Sequence, residues 1–256
     1  MSLLAFHLHS EVLLQHWDTV WQNRRALVDG LLTAVKVAVV ALVISVAIGL
    51  VLALARLSRP PLSWLTAAYV NVFRGIPALV SVLWVYDGWS LLFGVNFTTF
   101  QSGVIALTML YSAFISEIFR AALIAIPRGQ REAGLALGMH RARVFLQVTL
   151  PQALKIAVPN IGSMFIGMVK DTSTFTVIGL IEVVRVVQNI NSTKFQPFVL
   201  YTAAAILYVF AAFVIDFLFR AVEKSLTTPP AGRIARWVTG RRRRRIALVV
   251  SRAEAL

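Results

Sequence analysis

The sequence predicts an all-α membrane protein with about five transmembrane helices. Of its 256 residues, 58% are hydrophobic and only 14% charged, and the mean hydropathy is +0.77. Soluble domains carry roughly a quarter charged residues, and disordered chains lack this hydrophobicity. The apolar residues also fall in runs near the ~20 that a hydrocarbon core of about 30 Å demands of a helix. With Lys+Arg 25 against Asp+Glu 11 the formal charge is +14, an excess that in so apolar a chain marks cytoplasmic loops rather than a nucleic-acid surface. Cysteine is absent, which removes disulfides, thiolate metal sites and thiol nucleophiles and leaves the redox compartment unreadable.

Residues 1–29 form an extracytoplasmic segment holding His7, His9, Glu11, His16, Asp18, Arg24 and Arg25. No apolar core followed by a small-residue cleavage site occurs there, so no removable signal peptide is expected. The histidines lack a carboxylate cluster and read as surface residues rather than a metal site. The first span covers 30–55, with Lys36 near enough to one end to snorkel. Residues 62–95 are too long for one helix, and Pro77 cannot donate to a helix ladder. The preferred reading places the second span at 76–95 with 62–73 along the interface, leaving Arg74 at the water boundary; one long kinked helix is the alternative. Further spans fit 101–123, 157–181 and 198–219.

Orientation follows the basic residues of short loops. Arg56, Arg59, Arg120, Arg128, Arg131, Arg141, Arg143 and Lys155 share a side with the tail, and only Arg24, Arg25, Arg185 and Lys194 lie opposite. The N-terminus is therefore expected outside and the C-terminus in the cytoplasm. The membrane domain is taken as 30–223 and the basic tail as 224–256, with a five-arginine run at Arg241 to Arg245. That run reads either as a solvated topogenic tail or as a surface for anionic lipid or nucleic acid; the former is preferred and no nucleic-acid partner is expected.

The connection 124–156 is far longer than a connector needs. Helix formers over 130–137, a break at Gly138, a second short helix over 140–148 and a stop at Leu150-Pro151 describe two helices about a glycine corner. Such a hairpin exposes Ala133, Ala136, Leu137, Val144 and Phe145 beside a basic rim, as a docking surface would.

Glu132-Ala133-Gly134, followed by Gly138 and then by Val148-Thr149-Leu150-Pro151, resembles the EAA loop of the permease subunits of ATP-binding-cassette importers. Phe73-Arg74-Gly75-Ile76-Pro77 and Lys170-Asp171-Thr172-Ser173 resemble the polar-amino-acid branch of that family, and the likeness covers about 30–223. Two departures stand out: Gly134 where alanine is usual, which loosens the docking helix, and Ile76 where the branch often has threonine.

The resemblance implies a type I importer fold in the bacterial inner membrane. It implies a second permease subunit, identical or different, separate ATP-binding subunits and an extracytoplasmic solute-binding protein. Glu132 would help anchor the loop on the ATPase and Gly138 would make the turn; ATP and Mg would be bound by the partner, with no cofactor in this chain. Independently, the chain has no G-x-x-x-x-G-K-[ST] and so no phosphate-cradling loop.

Charges at bilayer depth cost roughly 2.5–3.5 kcal/mol each, so those that persist face a cavity or a partner. Lys170 and Asp171 are expected near the middle of the fourth span, with Glu117 as a second acid and Thr172, Ser173 and Thr174 alongside. Lys170 would meet a substrate carboxylate and Glu117 or Asp171 its ammonium; a structural ion pair between Lys170 and a carboxylate is the other reading. Arg74 divides similarly between substrate recognition and an interfacial charge. Asp216 is expected to meet Arg220 one turn on, Ser163 and Gly167 to permit close helix approach, and Trp84, Tyr86 and Trp89 to form an interfacial belt. Competing classes are a secondary transporter or channel, which favours internal repeats, and an intramembrane enzyme, for which the sequence has neither H-E-x-x-H nor G-x-S-x-G.

Overall fold

Apolar runs in lipid satisfy their backbone groups internally, which favours helices. The computed structural model describes residues 17–227, and these form helices and turns with no strand. His7, His9, His16 and the run Arg241 to Arg245 lie outside the described residues.

A short helix α1 (Trp17–Gln22) leads into α2 (Arg24–Arg56), which is followed by α3 (Leu62–Gly75). After Pro77 come α4 (Ala78–Leu83), a π-type turn at Trp84–Gly88 and α5 (Trp89–Phe93). Helix α6 is Thr99–Ala125. The hairpin comprises α7 (Arg128–Ala136) and α8 (Arg141–Val144). A π-type turn at Phe145–Thr149 joins α8 to α9 (Leu150–Asp171), which tightens into a 3-10 segment, Thr172–Ile178. Helices α10 (Val183–Lys194) and α11 (Pro197–Thr227) complete the described chain.

Four stretches are long and apolar enough to cross a membrane, Arg24–Arg56, Thr99–Ala125, Arg141–Ile178 and Pro197–Leu226. The pair Leu62–Gly75 and Ala78–Phe93, bent by 107°, supplies a fifth if it counts as one span. A single long second helix is therefore not formed. Ile76 and Pro77 adopt extended backbone between the two halves, as expected where proline bars the preceding residue from helical geometry.

Helix α6 is the central element. Its N-terminus carries a capping box, with Thr98 Oγ1 accepting from the Gln101 N–H at 3.2 Å and Gln101 Oε1 accepting from the Thr98 N–H at 3.0 Å. Helix α2 packs along it through a stripe of small residues, including Ala34, Ala38, Ala41, Ser45, Gly49 and Ala53. Lipid tails are as apolar as leucine, so close packing rather than burial from water drives such contacts. At Gly49 a Cβ would lie 2.8 Å from Ile115 Cγ2, so a side chain there forces the two helices apart.

The helices run beyond the expected spans where polarity and helicity part company. Helix α2 begins at Arg24, ahead of the span expected at 30–55, and α11 continues to Thr227, past the span expected at 198–219, because charged residues propagate a helix as readily as apolar ones. Leu150-Pro151 does not stop the second hairpin helix. The π-type turn just before it closes through the Leu150 N–H to Phe145 O, and this widened ladder accommodates the missing Pro151 donor, so the helix runs on. The close approaches fall at Gly162, where a Cβ would be 2.8 Å from the Phe219 ring, and at Gly167, 2.9 Å from Tyr111 Oη. Ser163 is exposed.

Candidate functional site

The hairpin closes as its spacing requires. Gly138 adopts φ +76°, a left-handed conformation that glycine takes without steric cost. Its N–H donates to Leu135 O at 2.9 Å and the Met139 N–H donates to Gly134 O at 3.1 Å, the paired bonds that end a helix around a left-handed residue. His140 Nδ1 then accepts from the Ala142 N–H at 3.3 Å and opens α8.

Glu132, Ala133, Ala136 and Leu137 are exposed, and Leu137 is 82% accessible. Val144 is not exposed: it is buried against Gly134, whose Cβ would sit 3.0 Å from Val144 Cγ2. Phe145 is half-buried. Gly134 thus brings the hairpin's two arms together as well as weakening α7. Leu150 and Pro151 stand at the start of α9, beyond the hairpin.

Lys170 and Asp171 occupy the last turn of α9, where it tightens into the 3-10 segment. Lys170 is exposed, and among the described residues no carboxylate pairs with it. Asp171 turns inward and accepts from Tyr111 Oη at 3.0 Å. The Thr172, Ser173 and Thr174 hydroxyls donate to backbone carbonyls of Val169, Lys170 and Asp171 at 2.7–2.8 Å, fastening the tightened turn rather than lining up beside Lys170.

Glu117 has arginine partners of its own. Its carboxylate accepts from Arg56 across the α2–α6 contact and from Arg120 Nη2 at 2.8 Å. Arg74, whose guanidinium lies 5.5 Å from the Phe114 ring centre, adds a third positive charge acting on it. An ammonium acceptor already shared by arginines is poorly placed to bind a second cation. Asp216 and Arg220 pair at 2.7 Å, as their spacing requires. Trp84 and Trp89 meet edge to face at 5.8 Å, with Phe97 against Trp89.

Sequence reading missed Glu182. It is fully buried, caps α10 by accepting from the Val184 and Arg185 N–H groups at 2.9 and 2.8 Å, and accepts from Tyr208 Oη at 2.5 Å. Glutamate is not a favoured N-cap, and nothing in the local sequence announces a tyrosine 26 residues away as its partner. Tyr111 was missed for a similar reason, being one aromatic among the apolar residues of α6.

A bundle of membrane-length helices with a long amphipathic hairpin at one end defines a membrane-embedded transport subunit. Residues 45–228 match the model for the binding-protein-dependent transport system inner membrane component, and the chain belongs to that family. It is 32% identical over 213 residues to the L-cystine transport system permease protein TcyB of Bacillus subtilis, covering 82% of this chain and 91% of that one. Against the glutamine transport system permease protein GlnP of Escherichia coli K12 the identity is 32% over 215 residues, covering 82% and 97%. The solved structure of an amino acid ABC transporter with histidines superposes with TM-score 0.75 at 32% identity, covering 82% of this chain and 98% of that chain. An inward-facing MetNI methionine ABC transporter shares the fold at TM-score 0.71 and 22% identity, over 80% and 98%. The type I importer permease fold expected from the resemblance is the fold of this chain.

Proposed function

We propose that the chain is a permease subunit of an ATP-driven importer for amino acids. Relatives named as carriers of cystine, arginine and glutamine support that substrate class. In this reading the N-terminus lies outside, the C-terminus in the cytoplasm, and the hairpin α7–α8 docks on a separate ATP-binding subunit. ATP and Mg are bound by that partner, and this chain contributes no catalysis. A second permease subunit, the same or different, completes the pathway. A solute-binding protein delivers the amino acid to outer segments that include 94–100 and 184–196.

The observation that carries the reading is the outward presentation of Glu132 and Leu137 on a hairpin closed by Gly138. A carboxylate with no ion-pair partner among the described residues and a bare leucine, beside Arg128 and Arg131, suit a cleft in another protein better than a lipid surface. ATP-driven closure of the partner moves this rigid hairpin, and linkage requires that substrate delivery act back on the ATPase.

On α9, Asn160, Ser163 and Lys170 are exposed at helical spacing. Lipid penalises such a face, which favours its turning to the pathway or the second permease, with Lys170 available to a substrate carboxylate. Asp171, held by Tyr111, orients the turn that carries Lys170, and Arg74 belongs with the Glu117 cluster rather than with substrate.

The test is reconstitution with candidate ATP-binding subunits and a binding protein, reading ATPase stimulation across an amino-acid panel. Glu132→Lys is expected to abolish capture of the ATP-binding subunit while membrane insertion persists. Wild-type stimulation in that variant rejects the docking role. Lys170→Ala is expected to raise the half-maximal substrate concentration without reducing assembly; an unchanged value assigns Lys170 to packing.

A further inference from the structure

We infer that the cavity between the hairpin and the ends of α2 and α6 is a seat for one anionic phospholipid. The space measures about 520 Å³. Leu54 and Leu57 come from the end of α2, Leu123 from the last turn of α6, Arg131 and Arg141 from the two arms of the hairpin, and Phe145 from the π-type turn. Two arginines thus share the cavity wall with aliphatic and aromatic residues where two membrane helices terminate. This inference rests on the hairpin lying at the cytoplasmic membrane boundary.

Charge selects the occupant. Among the described residues neither Arg131 nor Arg141 has a carboxylate partner, and guanidiniums match the oxygens of a phosphodiester. The leucines and Phe145 suit the first methylenes of an acyl chain, which a free phosphate lacks. The chain's own tail is net basic, with Arg241 to Arg245 against Glu254, and so is a poorer electrostatic match for two arginines than an anionic lipid. Glu132 and Leu137, assigned to the ATP-binding partner, do not line this cavity, although Arg131 and Leu135 of α7 border both it and Glu132. A further mark is the π-type turn, which keeps Phe145 and Thr149 on the cavity wall; such turns recur at functional sites because they interrupt the regular ladder.

The test uses the full-length permease in its detergent-purified complex with the ATP-binding subunits, photolabelled with a diazirine-bearing phosphatidylglycerol. The labelled peptides are expected to include 54–57 or 145–149, and a matched phosphatidylcholine probe is expected to label them much less. Arg131→Gln with Arg141→Gln should weaken the apparent affinity for labelling at those peptides about 30-fold, the equivalent of two basic side chains lost from an anionic surface. Leu57→Trp, which fills the space and leaves the charge, should suppress the same labels. Arg128→Gln with Arg143→Gln, on the hairpin but outside the cavity wall, should leave them intact. Labelling confined to the tail, equal labelling by phosphatidylcholine, or undiminished labelling in both cavity variants overturns the inference. The coupling reading fails by a different signal, the unimpaired ATPase stimulation of Glu132→Lys.

Discussion

Tyr208 Oη donates to Glu182 Oε2 at 2.5 Å, joining the middle of α11 to the first turn of α10. The main chain of the same residue borders α2: at Gly30 a Cβ would stand 2.9 Å from the Glu182 backbone carbonyl carbon. The buried acid thus joins α10 to α11 through its side chain, while its backbone packs against α2. Burial pushes its carboxyl above the usual glutamate range, and the hydrogen bonds from Tyr208, Val184 and Arg185 offset only part of that rise. The folded protein thus holds this proton more tightly than the unfolded chain does. The associated stability is fully present below the ordinary value of 4.5 and is lost as pH climbs through the raised one. Thermal melting of the purified protein should therefore fall over that rise, and Glu182→Gln should flatten the profile. Glu182→Ala should cost about 1 kcal/mol from the lost cap alone at every pH.

Arg56 and Glu117 tie α2 to α6 while Arg120 shares the carboxylate. Glu117→Gln leaves Arg56, Arg120 and Arg74 close together without their counter-charge. The pair is only partly buried, so the loss should fall below the 3–5 kcal/mol of a fully buried pair, at about 2 kcal/mol. A lowered melting temperature is expected for Glu117→Gln, with partial recovery when Arg56→Gln is added. An additive double variant would show that the two residues do not act on each other.

Gly138→Val puts a branched side chain at φ +76°, which costs roughly 1–2 kcal/mol. The membrane helices do not depend on that turn. Capture of the ATP-binding subunit should therefore drop while protease-resistant, membrane-inserted protein remains at wild-type level.

Because the natural chain has no cysteine, single cysteines report cleanly. Ser163→Cys and Lys170→Cys should react with a charged maleimide in reconstituted complex, and substrate with its binding protein should slow that reaction. Phe213→Cys, on an exposed apolar face of α11, should stay unlabelled. If Ser163→Cys and Lys170→Cys stay as unlabelled as Phe213→Cys, the exposed face of α9 has no aqueous access.

Helices of membrane length were legible because hydropathy is a one-dimensional quantity, summed along the chain. The break at Ile76-Pro77 was legible through proline's missing donor, and the hairpin corner through glycine's freedom at Gly138, both local properties. The continuation through Pro151 was not, because it depends on a π-type turn that absorbs the proline. Val144 was misassigned to the docking surface because its burial is made by Gly134 on the opposite arm.

What the sequence alone determined is the solvent each segment requires, the class of fold, and the residues that turn the hairpin, since each follows from composition or short-range geometry. Only the tertiary structure decided where the charges go. It gave Glu117 to Arg56 and Arg120, Asp171 to Tyr111 and Glu182 to Tyr208, and it left Lys170 exposed. The reason is electrostatic: the partner of a buried charge is chosen by distance in space, and in a helical bundle residues 60 positions apart, such as Tyr111 and Asp171, stand within one hydrogen bond.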